Sequence, residues 1–412
     1  MLDVLCNRSY AKLFSAQIIA LLGTGLLTVA LGLLAFDVAG SQAGLVLGLA
    51  MTIKMAAYVA VAPLINAIVG HIPRKLLLIG ADLTRAAVAM FLPFVSEAWQ
   101  IYMLILVLQS ASATFTPAFQ AIIPSILPEE REYTRALSLS RLAYDMESLV
   151  SPLLAALLLT ATSYHNLFLG TVAGFCGSAV LVSMTRFPEV AAPGKTTFLH
   201  RLTGGLRAFW ARPELRGLMA LNLVVATTTA MVIVNTVVLV KGGLGRSQTD
   251  AALLLGAYGA GSMIVALSVP RLLDRFPDRR VMLGGASCLP PLLMAAACEI
   301  HWGQGTSQWI ALMATWLLTG AATATILTPS SRLLRRNSTE QDRPGIFAAQ
   351  FSLSHACFLL TYPLAGAAGA AFGLAEAAII LVGVGLLGTF LAFFSWRSGT
   401  GVGAVDENHE TT

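Results

Sequence analysis

Twelve apolar runs of about 20 residues, each long enough to cross the hydrocarbon core of a bilayer as a helix, constrain this chain more than any other feature. They lie near 12–36, 43–68, 76–95, 100–123, 136–160, 166–185, 217–240, 249–270, 281–299, 308–328, 345–370 and 374–396. Most connections between them are very short, which leaves no room for a soluble domain. Composition agrees. Only 11% of the 412 residues are charged and 56% are apolar, whereas about a quarter of an average soluble chain is charged.

The basic residues orient the runs. Of 26 Lys and Arg, 21 fall in seven short segments on one side of the implied membrane; two, Lys241 and Arg246, lie on the other. Cationic loops resist translocation, so the basic side is expected to be cytoplasmic, with both termini there and the chain multi-pass in a cell (inner or plasma) membrane. The pI near 9.1 has the same origin. The positive charge is spread over many loops rather than gathered on one face, which argues against nucleic acid as a partner. The run from Leu13 to Phe36 is long enough to span rather than serve as a cleaved leader. Cys6, Cys176, Cys288, Cys298 and Cys357 lack metal or disulfide spacing and read as small core residues. Asn7 and Asn337 head glycosylation patterns on the expected cytoplasmic side, where they are inert.

The chain also repeats itself. Ser41-Gln42 is echoed by Ser247-Gln248, Gln17 by Asn222, Thr116-Pro117 by Thr328-Pro329, and Pro63 to Lys75 by Pro270 to Arg280, all in one order and at nearly one offset. Internal duplication with six spans per half is a transporter architecture, its substrate site near the midplane between the halves. The expected division is a six-helix bundle over 1–185, a cytoplasmic linker over 186–216, a second bundle over 217–396 and a tail over 397–412. Within the linker, Phe198 to Trp210 interleaves apolar residues with Arg, as a helix lying on the membrane surface does.

The loop Leu273-Asp274-Arg275-Phe276-Pro277-Asp278-Arg279-Arg280 resembles the loop motif of the major facilitator superfamily. That resemblance implies a conformational latch in which Asp274 exchanges partners with Arg275, Arg279 and Arg280. In the first half Gly70 and His71 stand where the family has Asp and Arg, and Asp82 with Arg85 is a partial replacement. Ser151-Pro152-Leu-Leu-Ala-Ala resembles the family's antiporter motif, with Ser or Ala for its glycines, and Pro363 begins a second version. Packing of small residues explains these stretches equally well. Phe115 to Pro124 and Gly205 to Arg216 resemble a branch that includes bacterial macrolide, siderophore and nickel-resistance exporters. The usual span 4 Arg is absent, with Leu106 in its place. The resemblance implies an all-α membrane protein of twelve transmembrane helices in two pseudo-symmetric bundles.

Ionisable groups at membrane depth are candidates for function. Lys54 lies eleven residues into span 2, about 16 Å along a helix. Arg141, Asp145 and Glu147 lie in span 5, and His355 is similarly deep in span 11. In facilitators these spans flank the central cavity, with Gln17 and Asn222 as further lining candidates. Asp145 or Glu147 is then a proton-coupling carboxylate; the alternative is a structural Arg141–Asp145 pair. His355 suits either coupling or packing. Asp37, Glu97, Glu299 and Glu376 sit at external span ends and read as structural. No metal site is expected, because His355 and Cys357 diverge around their helix, and no cofactor is expected.

The expectation is a monomeric secondary transporter, not an enzyme, exporting drugs or siderophore-like small molecules in exchange for protons. Nickel or cobalt efflux, uniport or import, and a non-transporting membrane sensor are the alternatives.

Overall fold

The computed structural model describes residues 2–61, 73–185, 198–339 and 343–397. Lipid cannot bond a bare peptide group, so each crossing segment closes its bonds internally, and the described residues form helices without strands. The first half contains α1 (Arg8–Ala39), α2 (Ala43–Ala56), α3 (Arg74–Phe91), α4 (Ala98–Ile126), α5 (Glu130–Leu159) and α6 (His165–Ser183). Then come α7 (Phe198–Ala211) and the second half: α8 (Pro213–Ala230), α9 (Gln248–Leu273), α10 (Asp278–Trp302), α11 (Gly305–Arg336), α12 (Arg343–Phe372) and α13 (Leu374–Arg397). The end of span 2, the loop from Val69 to Ile72, the linker over 186–197 and most of the tail lie outside the described residues.

Local sequence sets the helix ends. Asn7 caps α1, its side chain accepting from the amides of Ser9 and Tyr10 at 3.0 and 3.2 Å. Glu97 and Gln100 form a capping box at the start of α4. Gly40 turns the chain between α1 and α2 at φ 54°, a conformation suited to glycine. Among the described residues ten stretches are long and apolar enough to cross a membrane, one of them, Arg8–Val59, being α1 and α2 in succession. The 30-residue α5, apolar over its described stretch Val150–Leu159, completes the expected twelve.

Helices cross closely where side chains are small. In the first half α1 lies on α6, where Thr171 donates to the Gly23 carbonyl at 2.9 Å. In the second half α8 lies on α13, and a Cβ at Gly388 would meet the Ala220 carbonyl at 3.0 Å. Two seams join the halves: α2 against α12, and α5 against α9. At the first, a Cβ on Gly48 would meet the Tyr362 carbonyl at 2.7 Å, beside Pro363. At the second, a Cβ on Gly256 would meet Leu153 at 2.9 Å, beside Pro152. Both proline motifs thus lie on the seams.

The outer surface is apolar. Phe94, Trp302, Phe372 and Phe390 are all more than 60% exposed, which suits lipid contact. Cys6, Cys176 and Cys288 also face outwards, contrary to the core placement expected; on a lipid-facing surface a small apolar side chain need not be buried. Helix α7 does more than lie flat: Phe209 is buried, and Gly205 abuts the Gly345 backbone of α12.

Candidate functional site

Lys54 occupies the last turn of α2, half-buried, and the chain then loosens into a π-helical segment, Ala57–Val61. Such segments re-aim side chains and recur at functional sites. Here the segment carries Tyr58, whose ring lies 5.3 Å from His355 and 6.1 Å from Phe351 on α12. The Tyr58–His355 contact therefore crosses the α2–α12 seam.

His355 is fixed by its own helix. Its Nδ1 lies 2.6 Å from the Phe351 carbonyl, and its ring is tilted at 38° against Phe351 with the centroids 4.1 Å apart. A carbonyl only accepts, so Nδ1 carries the hydrogen and Nε2 is left for another partner. Glu147 enters from α5, half-buried against α1, where a Cβ on Gly25 would lie 3.4 Å from its Cγ. Lys54 is electrostatically coupled to both Glu147 and His355. One cation on α2 thus stands within electrostatic range of a carboxylate on α5 and of an imidazole on α12. The side chains of Arg141 and Asp145 lie outside the described residues.

Other candidates go elsewhere. Gln17 is buried and accepts from Ser140 Oγ at 3.0 Å, tying α1 to α5. Asn222 is buried with its amide nitrogen unpartnered among the described residues. Ser151 is buried against Gly25. Asp82 and Arg85 form a buried ion pair inside the first half, well beyond the start of α3. Ser178 donates to Asp82 at 2.7 Å, and the guanidinium lies between the Phe115 and Phe175 rings at 4.3 and 4.4 Å.

The basic loop after α9 divides its charges differently from the expected latch. Asp274, Arg275 and Arg280 are exposed and Arg279 is half-buried, with no ion pair among the described residues. The engaged carboxylate is Asp278, buried and paired with Arg332 at 3.7 Å and Arg336 at 3.3 Å on α11. Arg336 also meets Glu214 at 3.1 Å. At the opposite end, Lys241 pairs with Asp37 at 3.0 Å and lies over the Phe36 ring, joining the two halves. Asn235 was not singled out from the sequence. It is fully buried, donates to the Ala365 carbonyl at 3.2 Å and presses against Gly44 across the seam; a lone Asn in an apolar run was the available signal.

Two halves of apolar helices meeting along two seams, with ionisable groups between them, define a multi-pass membrane transporter rather than an enzyme. The sequence matches the family model described as Major Facilitator Superfamily over residues 13–289 and 218–410, and the chain belongs to that family. It is 26% identical to macrolide efflux protein A of Streptococcus pyogenes over 223 residues, 52% of this chain and 54% of that protein. It is 24% identical to the uncharacterized MFS-type transporter YfiS of Bacillus subtilis (strain 168), over 63% of each. The chain thus spans between half and two thirds of these relatives. Among solved structures, a bacterial homolog of the human lysosomal transporter Spinster, inward-facing and unoccupied, superposes with a TM-score of 0.75 at 14% identity, covering 95% of this chain and 97% of that one. The nucleoside transporter NupG gives 0.71 at 12% identity, covering 94% of this chain and 99% of that one. These likenesses concern the fold alone.

Proposed function

We propose that this transporter exports small molecules, drugs or siderophore-like compounds, in exchange for protons, as a monomer whose basic end faces the cytoplasm of the cell membrane. The division into bundles over 1–185 and 217–396, joined through 186–216, belongs to this reading. The placing of Lys54 within electrostatic range of Glu147 and of His355 supports it most directly. The efflux proteins among its relatives favour export.

In this reading ionised Glu147 accepts hydrogen bonds from hydroxyl or ammonium donors of the cargo. A proton taken up from the far side cancels that acceptor and frees the cargo. On the return the proton leaves towards the cytoplasm and the carboxylate is free to take up cargo again. Tyr58, Phe351 and His355 offer aromatic faces to an apolar body. The seams at Gly48 and Gly256 supply close packing that parts and re-forms as the halves rock.

Expression in a pump-deficient host, scored against antibiotics, dyes, siderophores and nickel and cobalt salts, tests the reading. Resistance to organic compounds that disappears in Glu147→Gln or Asp145→Asn, with the protein still in the membrane, is expected. Full resistance in both variants removes these carboxylates from the mechanism.

A further inference from the structure

Two grooves lie away from the central groups, one on the outer face of each half. The groove of the second half, about 840 Å³, runs between α9, α10 and α11. Arg280 and Phe276 stand at its arginine-rich end, and Gly284, Cys288 and Pro291 continue its floor. The groove of the first half, about 590 Å³, is lined by Leu76, Gly80 and Thr84 on α3 with Leu106, Ser110 and Thr114 on α4. These are copies of one feature. Counted from Pro73 and Pro277, which precede the two helices, Leu76, Gly80 and Thr84 correspond, 204 residues on in each case, to Arg280, Gly284 and Cys288, and the basic Lys75 next to Leu76 donates to the Thr185 carbonyl at 3.0 Å. A Cβ at either Gly80 or Gly284 would meet nothing within 4 Å, so both glycines open onto their grooves.

The copies differ in charge. Where the first presents Leu76, the second presents the exposed Arg280. In the same loop and at the adjoining helix ends the sequence carries Arg271, Arg275 and Arg279, with Asp274 as the acid left to balance them, because Asp278 is held by Arg332 and Arg336. The floor from Arg280 to Pro291 is about 16 Å long at the helical rise, and nearly all of its lining is apolar. An apolar channel open to lipid and ending in an unneutralised guanidinium fits one molecule: a phospholipid with an acyl chain along α10 and its phosphate on Arg280. The excess of arginine at the mouth selects a net negative headgroup.

We propose that the groove between α9, α10 and α11 binds an anionic phospholipid through Arg280, and that its twin on α3 and α4 makes no such selection. Arg280 then serves the lipid rather than a latch with Asp274, and occupancy of the groove braces α9 against α10 next to the α5–α9 seam.

Native mass spectrometry of the purified full chain, titrated with phosphatidylglycerol or with phosphatidylcholine of the same acyl chains, tests this independently of transport. The wild type should retain phosphatidylglycerol about fivefold better, the worth of roughly one basic side chain against anionic lipid. Arg280→Gln should abolish the preference and Arg280→Lys keep most of it. Gly284→Trp should lower retention of both lipids, while Gly80→Trp leaves the preference intact. Equal retention by the wild type, a preference that survives Arg280→Gln, or its loss in Gly80→Trp would overturn the proposal. Gel filtration and melting of each variant identify any that has misfolded, and Arg280→Lys against the wild type keeps the comparison usable if Arg280→Gln is lost.

Discussion

Arg85 shows how a charge survives inside an apolar bundle. It has Asp82 as counter-ion, Ser178 holds that carboxylate, and two phenylalanine rings cover the guanidinium. Asp82→Ala leaves the cation buried and unbalanced and should cost about 3 kcal/mol or more, read as a lowered melting temperature of the purified protein. An unchanged melt would show that water or another group already neutralises Arg85. Gln17→Leu removes one buried bond to Ser140 and should cost only about 1 kcal/mol while leaving transport intact. Loss of transport without loss of folding would return Gln17 to the cavity. Depth in an apolar run was enough to mark Lys54, Glu147 and His355 in the sequence, because an ionisable group there needs a reason. Partner choice was not legible. Asp82 with Arg85 could be seen as neighbours on a helix, yet the rings and Ser178 that bury them come from α4 and α6, far away in the sequence.

At the scale of helices, the seams govern motion. Gly48 and Gly366 let α2 and α12 approach so closely that a side chain at either position would strike backbone. Gly48→Leu should therefore hold the halves apart along α2–α12. In a cysteine-free background, cysteines placed at Asp37 and Lys241 should be joined readily by a short bifunctional thiol reagent in an otherwise unaltered chain and poorly with Gly48→Leu; equal yields would mean that the seam does not control that end. The proline motifs and a place between the halves were legible in the sequence, but the helix that each would meet was not. Spacing along one helix says nothing about which neighbour it meets. The basic loop teaches a related point. Asp274 and Asp278 are four apart with arginines between and beside them, and only the packing of α11 shows that Asp278 is the engaged acid.

For the molecule as a whole, most of the architecture was legible because the bilayer removes options. A run of about 20 apolar residues has to be a helix. The placing of Lys and Arg predicts the orientation, so accessibility tags after Arg280 and after Trp302 should report opposite sides of the membrane, with the first cytoplasmic. The same side for both would dismantle the topology.

The central claim is that Glu147 exchanges a proton for cargo between the two halves. Its most direct test uses inside-out vesicles with an acidified lumen and whichever compound the resistance panel identifies. The unaltered transporter should concentrate the compound inside for as long as the gradient lasts, and Glu147→Gln should do no more than equilibrate it. Accumulation by Glu147→Gln to the unaltered level, with the same dependence on the gradient, would contradict the account.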